Sequence, residues 1–290
     1  MHIRISLYST FSLLFFIVMI SCSSINLQDS HPLPKNLTFS EKISFAFHPD
    51  KIIFDDYSNA FILLNKSENT IYKTNLSGKL IQKIGESGFG DGQFINITDI
   101  SCDSFGNIYA LDNDINKIIK FDENGQFVNS ISFAEIDEPE LLEVKNNGDL
   151  LIYDSATNLI YSFSSEVNLR FTFGKFEIVS PKKISSTINL NYILDTTKNE
   201  IIIFDNFGGF VKSISPKNMI LDISPAKFFL LTLDNRNNLN IIKGEQTLNM
   251  PLPSFSSKFS KLHFSQILLF KNKIGLIDQQ EFYIFQYSHQ

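Results

Sequence analysis

A chain of 290 residues is long enough for one large domain or two small ones. Its hydrophobic share of 43% is enough for a sizeable core, and its charged share of 19% excludes a disordered chain. The net charge of −6 disfavours nucleic acid as a partner, because binding to phosphate needs clustered Lys and Arg.

The N-terminus has the features of a secretory signal peptide. Arg4 makes the start positive, and residues 11–20 form an apolar run that is short for a transmembrane helix. The letters "MISC" at residues 19–22 resemble the bacterial lipobox, although Leu is usual where Met19 stands. In lipoproteins the Cys of this motif is lipidated and the peptide is cut before it. We therefore predict a lipoprotein signal peptide over residues 1–21 and lipidation of Cys22, with a cleaved signal that lacks lipid as the alternative.

Residues 22–36 form a polar segment with two prolines. This composition is typical of a flexible tether. Several acyl chains on one Cys give stable membrane anchoring. We expect the tether to hold a folded body, residues 37–290, in the bacterial cell envelope, either at the outer membrane and periplasm or at the cell surface.

An internal repeat occupies most of the remaining chain. Residues 56–81 align without a gap with residues 103–128, and three further copies and a shorter sixth copy follow. Each copy has apolar runs separated by turn residues such as "ENGQ" and "NFGG". Repeats of about 40 residues with three or four strands each are typical of propellers, in which radial packing buries both faces of every small sheet. The sequence predicts an all-β, six-bladed β-propeller.

The two ends of the repeat region predict how the propeller closes. The sixth copy stops after the strand "FYIFQ" and lacks an outer strand, whereas residues 37–47 form a strand with no blade of their own. We expect this N-terminal strand to join the last blade and close the ring.

The stretch at residues 85–128 resembles an NHL repeat. The matching parts are "GFGDGQF" at 88–94, "GNIY" at 106–109, "DNDINKI" at 112–118 and "FDENGQF" at 121–127. The family usually has Pro after Gln-Phe, where this chain has Ile95, and the match is faint after residue 219. The resemblance implies a propeller. RNA binding, which some NHL proteins perform, is disfavoured here by the acidic charge and by export.

Four glycines within "GESGFGDGQF", residues 85–94, suggest at first a loop that binds phosphate. Such a loop needs a helix directly after it, so that N–H groups and the helix dipole face the phosphate. Here the strand-like "QFINITDISCD" follows. We therefore predict that this loop links the first blade to the second.

An acidic or amide residue followed four positions later by Asn recurs in five copies. The pairs are Asn65 and Asn69, Asp112 and Asn116, Asp154 and Asn158, Asp195 and Asn199, and Asp234 and Asn238, with Asp278 as a weaker echo. In an up-and-down blade these residues would surround one face of the propeller. One interpretation is a ligand face that binds a cation or a basic ligand; its candidate residues are Asp112, Asp114, Asp154, Asp195, Asp234 and Asp278. The other is that each side chain bonds the N–H groups of its own turn, a role that Asn65 fills without a charge.

Calcium is a weaker alternative at "DNDIN", residues 112–116, where oxygens alternate. A helical calcium loop needs Gly where Lys117 stands. The corresponding loops of the other repeats lack the alternating oxygens. The five His are scattered, and Cys102 lies in an apolar stretch as a small buried side chain would. We therefore expect no resident cofactor or metal and identify no catalytic residue.

The sequence favours a membrane-anchored, extracytoplasmic propeller that acts as a binding or scaffold module. Its expected partner is an envelope protein, a glycan or a small ligand on one face. The alternative is a metal-dependent hydrolase or lyase of the propeller lactonase type, since such propellers use Glu, Asp, Asn or His at the mouth of the channel. The side chains that line the axis distinguish these functions.

Overall fold

A computed structural model of the protein describes residues 33–252 and 261–289. The predicted signal peptide and Cys22 lie outside these residues. Within the described ranges, no helix has both the length and the apolar character needed to cross a membrane.

The described residues form six antiparallel sheets of four strands each, which we number as blades. Blade 1 contains β2 (Lys51–Asp55), β3 (Ala60–Asn65), β4 (Thr70–Thr74) and β5 (Leu80–Ile84). Blade 2 contains β8 (Ile97–Cys102), β9 (Ile108–Asp112), β10 (Lys117–Phe121) and β11 (Phe127–Ser132). Blade 3 contains β12 (Pro139–Val144), β13 (Leu150–Asp154), β14 (Leu159–Phe163) and β15 (Leu169–Phe173).

The second half of the ring repeats this order. Blade 4 contains β16 (Pro181–Ser186), β17 (Leu190–Asp195), β18 (Glu200–Asp205) and β19 (Phe210–Ile214). Blade 5 contains β20 (Ile220–Pro225), β21 (Leu230–Asp234), β22 (Leu239–Lys243) and β23 (Gln246–Met250). Blade 6 contains β24 (Gln266–Phe270), β25 (Lys273–Asp278), β26 (Glu281–His289) and, as its outer strand, β1 (Pro34–Ser44). One 3₁₀ turn, Lys66–Glu68, and a short parallel pair, β6 (Glu86–Ser87) with β7 (Gln93–Phe94), complete the described elements.

The first strand of each blade lies at the axis. Each of these inner strands contacts the inner strand of the next blade, and β2 of blade 1 also contacts β24 of blade 6. The ring is therefore closed, and the predicted all-β, six-bladed propeller is confirmed.

The apolar runs of the sequence become strands that are buried on both faces. Every residue of β3, β9 and β13 is buried, whereas the outer strand β11 is mostly exposed. The core consists of clusters between neighbouring blades, as where Ile62 and Ile71 of blade 1 share a cluster with Ile100 and Ala110 of blade 2. A strand between two neighbouring sheets has no solvent-facing side, which is why its apolar residues are consecutive rather than alternating.

The N-terminal strand closes the last blade, as predicted. The strand β1 pairs with β26 from Pro34 opposite His289 to Ser44 opposite Glu281. It begins at Pro34 rather than at residue 37, so the last residues assigned to the tether already belong to the sheet, and it ends before residue 47. Phe45 follows it directly and stacks on Phe282, with 5.9 Å between the ring centroids.

The strand directions give the propeller two different faces. The entry face is the one where each inner strand begins; it carries the loops that link blades and the turns between second and third strands. The opposite face carries the turns between first and second and between third and fourth strands.

The glycine-rich loop has the structural role that the sequence predicted. It links β5 to β8, and its Gln93 and Phe94 are held by two glycines with positive φ. A Cβ on Gly85 would lie 1.9 Å from the ring of Phe94, which is fully buried, and a Cβ on Gly88 would lie 2.1 Å from Oε1 of Gln93. The glycines thus make room for these side chains in the junction between blades 1 and 2.

Candidate functional site

The acidic residues of the predicted ligand face are mostly buried. Asp112, Asp154, Asp195 and Asp234, which we call the turn acids, end the second strands of blades 2 to 5 and are at most 1% exposed. Each carboxylate lies at the end of an apolar second strand, on the entry face, and is buried there.

Each turn acid binds the loop that leads into its own blade. Asp112 accepts hydrogen bonds from the backbone N–H of Ile95 at 2.6 Å and of Asn96 at 3.2 Å. The corresponding donors are Glu138 N at 2.6 Å for Asp154, Val179 N at 2.7 Å and Ser180 N at 3.0 Å for Asp195, and Asn218 Nδ2 at 2.7 Å for Asp234. The turn acids therefore connect the second strand to the start of the first strand.

Three turn acids also bond within their own turns. Asp154 accepts from Thr157, Asp195 from the N–H of Lys198, and Asp234 from Asn238. Burial would raise the pKa of Asp234, but the hydrogen bonds from Asn238 and Asn218 hold that pKa below its ordinary value. The bonds within the turn are those that the sequence suggested; the bonds to the entering loop were not foreseen.

The two remaining candidates of the predicted ligand face have different environments. Asp114 is exposed and accepts a hydrogen bond from Asn96 Nδ2 at 3.0 Å. Asp278 is partly buried. These positions do not share the buried, multiply bonded environment of the turn acids.

In blades 1 to 5, an Asn in the turn between the second and third strands joins its blade to the next one. These Asn residues adopt left-handed backbone conformations, with φ between 49° and 61°. Asn69 donates to the carbonyl of Ile95 at 2.6 Å and accepts from the N–H of Ile97 at 3.0 Å. Similar bonds to the loop entering the following blade are made by Asn116, Asn158, Asn199 and Asn237.

In blade 5 the sequence placed this Asn one position too late. Asn237 has the positive φ and makes the bonds between blades, whereas Asn238 binds Asp234 within the turn. Two consecutive Asn residues in "DNRNN" cannot be distinguished by spacing alone.

Blade 1 reverses the arrangement. Its turn carries Asn65, whose Oδ1 accepts from the N–H of Glu68 at 3.2 Å, and the entering loop supplies the carboxylate. Asp50 of that loop accepts from the N–H of Lys66 at 2.8 Å. This explains why an uncharged residue suffices at position 65.

Two ion pairs lie on the axis, at the entry-face end of the inner strands. Lys51 Nζ is 2.7 Å from Asp99 Oδ1, and Lys183 Nζ is 2.9 Å from Asp222 Oδ1. The pairs join blade 1 to blade 2 and blade 4 to blade 5, so they face each other across the ring. They border a cavity of about 200 Å³ to which the first strand of every blade contributes, with Gln266 from blade 6.

The two axial aspartates have matching second bonds. Asp99 Oδ2 accepts from the N–H of Leu142 and Asp222 Oδ2 from that of Ile267, at 2.9 and 2.8 Å. In the sequence, both aspartates begin the triplet Asp-Ile-Ser, at residues 99–101 and 222–224, within apolar strands. An acid in a buried inner strand needs a partner, but the sequence alone did not identify the lysines.

Glu143 is a further acid on an inner strand, β12. Its Oε1 accepts from both N–H and Oγ of Ser186 at 2.8 Å. Burial raises its pKa, although Lys51 and the hydrogen bonds from Ser186 act in the other direction. Among the described residues, no group of three or more His, Cys, Asp or Glu side chains is placed to hold a metal ion.

A larger cavity, of about 520 Å³, lies on the opposite face between blades 3 and 4. Blade 3 contributes mostly polar residues together with Phe171, and blade 4 contributes the apolar Ile188 and Phe207 together with the polar Ser186, Thr187 and Asn206. Arg170 Nη1 is 2.7 Å from Asp149 Oδ2, and Lys145 Nζ donates to Asn206 Oδ1 at 3.1 Å. The sequence motifs did not indicate this cavity, because its walls come from turns of two separate repeats.

Cys102 is a free thiol beside the carbonyl of Phe54, with 3.9 Å between sulfur and oxygen. Burial raises the pKa of the thiol to about 12. The side chain is therefore a protonated thiol at neutral pH and a poor nucleophile.

Comparisons with known proteins support the fold. A family model described as a six-bladed β-propeller matches residues 48–159. Inactive virginiamycin B lyase from Staphylococcus aureus, solved with quinupristin, has a TM-score of 0.62 and 14% identity over 87% of this chain and 99% of that chain. Raptor from Chaetomium thermophilum has a TM-score of 0.60 and 11% identity over 89% of this chain and 30% of that chain. The Pan2 WD40 domain from Neurospora crassa has a TM-score of 0.57 and 10% identity over 83% of this chain and 76% of that chain. No curated protein matches the sequence. Similarity at this level of identity shows the propeller fold and not a function.

Proposed function

We propose that the chain is a binding propeller of the bacterial cell envelope, anchored to a membrane through lipid on Cys22, with blades of the NHL type. The binding function is supported by the cavity of about 520 Å³ on the opposite face. Its volume is within the range of small-ligand sites, about 300 to 1,000 Å³, and polar and apolar groups meet in it, as in such sites.

The distribution of the acids supports binding over catalysis. The turn acids are engaged by N–H groups of the scaffold, and Asp99 and Asp222 are each paired with a lysine. A general acid or base must reach the proton it transfers, and these carboxylates are directed at the protein itself. The proposed function requires no resident cofactor.

The resemblance of "MISC" to a lipobox and the polar, proline-containing segment after it support anchoring in the envelope. Replacing Cys22 by Ser should move the protein to the soluble envelope fraction or leave an uncleaved precursor. Cys102→Ser is the matched control, because Cys102 is the other cysteine of the chain and should leave fractionation unchanged. Recovery of Cys22→Ser in membranes at the mature size would contradict the anchor.

Binding is tested by capture from the native envelope. Crosslinked membranes that contain the tagged protein should yield a specific partner or ligand. A Cys22→Ser protein added to disrupted envelopes should capture the same species, because the anchor places the propeller but does not form its binding surface. Capture of nothing by either form would contradict a binding module.

The second candidate is a metal-dependent hydrolase or lyase. It is favoured by Asp99, Glu143 and Asp222, which are among the acids of the inner strands, and by the raised pKa of Glu143. This candidate requires a divalent cation to stabilise the fold through these acids. Thermal unfolding with Mg²⁺, Mn²⁺ or Zn²⁺ tests it, since a stabilisation that disappears in Asp99→Asn would favour the enzyme.

A further inference from the structure

The cavity between blades 3 and 4 has an excess of positive charge. Lys145 and Arg170 supply two cations, and Asp149 supplies the carboxylate among its lining residues. Asp149 is already engaged by Arg170 at 2.7 Å and by Asn147 Nδ2 at 2.9 Å. Among the lining residues one positive charge therefore remains, on a chain whose net charge is −6.

Lys145 carries this remaining charge. Its ammonium donates to the neutral amide of Asn206, and it takes part in none of the ion pairs found among the described residues. Partial burial lowers its pKa, although Asp149 and Glu143 act in the other direction. The axial Lys51 and Lys183, by contrast, each have an aspartate within 3 Å. A partly buried cation with no carboxylate in direct contact is stabilised by an anion brought from outside.

Arg170 has capacity for the same anion. One of its terminal nitrogens bonds Asp149, and a guanidinium carries five N–H donors in a planar fork. The side chain is 48% exposed, so its remaining donors are accessible to a ligand.

Blade 4 contributes two apolar side chains to this cavity, and both are open to solvent. Ile188 is 68% exposed and Phe207 is 84% exposed, and Phe171 of blade 3 lines the same cavity. Asn206, next to Phe207, donates to the carbonyl of Ile188 through the amide whose oxygen holds Lys145. The apolar side chains and the cation are thus held in one fixed arrangement.

We propose that this cavity binds an organic monoanion, a carboxylate that carries an apolar ring or chain. Its carboxylate lies at Lys145 and Arg170, and its apolar part covers Ile188 and Phe207. A single excess positive charge favours a carboxylate over a phosphate dianion, because the second negative charge would have no counter-charge. The inference rests on the proposed function and identifies its ligand class.

The probes are four small molecules titrated into the full-length protein in mild detergent by calorimetry. We expect 3-phenylpropionate to bind saturably with a Kd of about 1 mM or tighter. The neutral amide of this acid, acetate and phenyl phosphate should each bind at least about tenfold more weakly. The amide lacks the negative charge, acetate lacks the apolar part, and phenyl phosphate carries a second negative charge.

Two variants test the position of the anion. Lys145→Gln should weaken binding of 3-phenylpropionate about tenfold or more. Lys271→Gln is the matched control, because Lys271 follows the inner strand of blade 6 as Lys145 follows that of blade 3, and its Nζ also bonds an Asn of the next blade, Asn59. The control should bind as the unmodified protein does. Melting temperatures of both variants establish that each is folded, and Arg170→Gln serves as a second variant if Lys145→Gln is not.

Three results would overturn the inference: no saturable binding of 3-phenylpropionate, equal binding of its amide, or equal losses in Lys145→Gln and Lys271→Gln. Capture from the envelope distinguishes a wrong ligand assignment for the cavity from a wrong proposal of a binding function. If Lys145→Gln captures the same partner with unchanged yield, the propeller binds elsewhere and the cavity assignment is wrong. If the unmodified protein captures nothing, the binding function itself fails.

Discussion

Replacing Asp112 by Asn tests whether the turn acids are structural. Each carboxylate oxygen of Asp112 accepts one backbone N–H, at 2.6 and 3.2 Å, and the side chain is fully buried. An Asn keeps one of these bonds and directs an NH₂ group at the other N–H. Loss of one hydrogen bond to a charged group costs about 1.5–3 kcal/mol. In a domain of this size that lowers the melting temperature by roughly 3–12 °C.

The matched control is Asp114→Asn, two residues away. It removes the same charge, but Asp114 is exposed and an Asn oxygen can still accept from Asn96, so we expect a change within about 0.5 kcal/mol. Thermal unfolding monitored by circular dichroism gives both values. Melting temperatures of the two variants within about 1 °C of each other would refute the structural role derived from the hydrogen bonds.

The same experiment with calcium or with a chelator tests the alternative role of this face. A cation site would raise the melting temperature of the unmodified protein in calcium, and Asp112→Asn would abolish that rise. We expect no such rise, because both oxygens of Asp112 already accept N–H donors. A calcium-dependent increase of several degrees, absent from the variant, would make the entry face the functional site.

Three further outcomes follow from the structure. The pKa of Glu143 is raised in the folded protein, so its stabilising contribution is present below the unfolded pKa of about 4.3 and is lost as the pH rises through the folded value. Glu143→Gln should therefore be at least as stable as the parent protein in urea unfolding at pH 7. A clear loss of stability there would contradict the raised pKa. Lys73→Met should lower the free energy of unfolding in urea by about 3–5 kcal/mol, because the fully buried Asp55 lies 3.3 Å from the lysine and would lose its counter-charge. A loss below about 1 kcal/mol would be incompatible with a buried ion pair. Deleting residues 34–44 should abolish cooperative thermal unfolding, because the edge of β26 and the apolar side chains packed under β1 become exposed; a truncated chain that melts as the full one does would assign no closing role to this strand.

The local repeat determined much of the fold. Apolar runs broken by turn residues predicted six small sheets, and a sixth copy without an outer strand predicted that the N-terminus would supply it. The strand-like "QFINITDISCD" after the glycines excluded a phosphate loop. These predictions depended on contacts within one repeat or on a strand that was missing from it. Such information is contained in the order of apolar and turn residues.

The spacing of four between the turn acid and its Asn also marked the correct turns, but it did not reveal what the side chains bind. Asp112 bonds residues 16 and 17 positions earlier, and Asn69 bonds residues 26 and 28 positions later. Both sets of partners lie in loops between blades, whose approach depends on radial packing. For this reason the sequence could not choose between a ligand face and a structural role at these positions.

The sequence by itself thus determined the number of blades, their closure and the position of the turns, because strand and turn patterns are local. The tertiary structure decided which charges are neutralised and where a cavity stays open. Lys51 and Asp99 are 48 residues apart and Lys183 and Asp222 are 39 apart, yet each pair meets at the axis. Lys145 and Asn206, 61 residues apart, meet at the cavity between blades 3 and 4. Contacts between blades arise only when the sheets pack around the ring, and no spacing within one repeat encodes them.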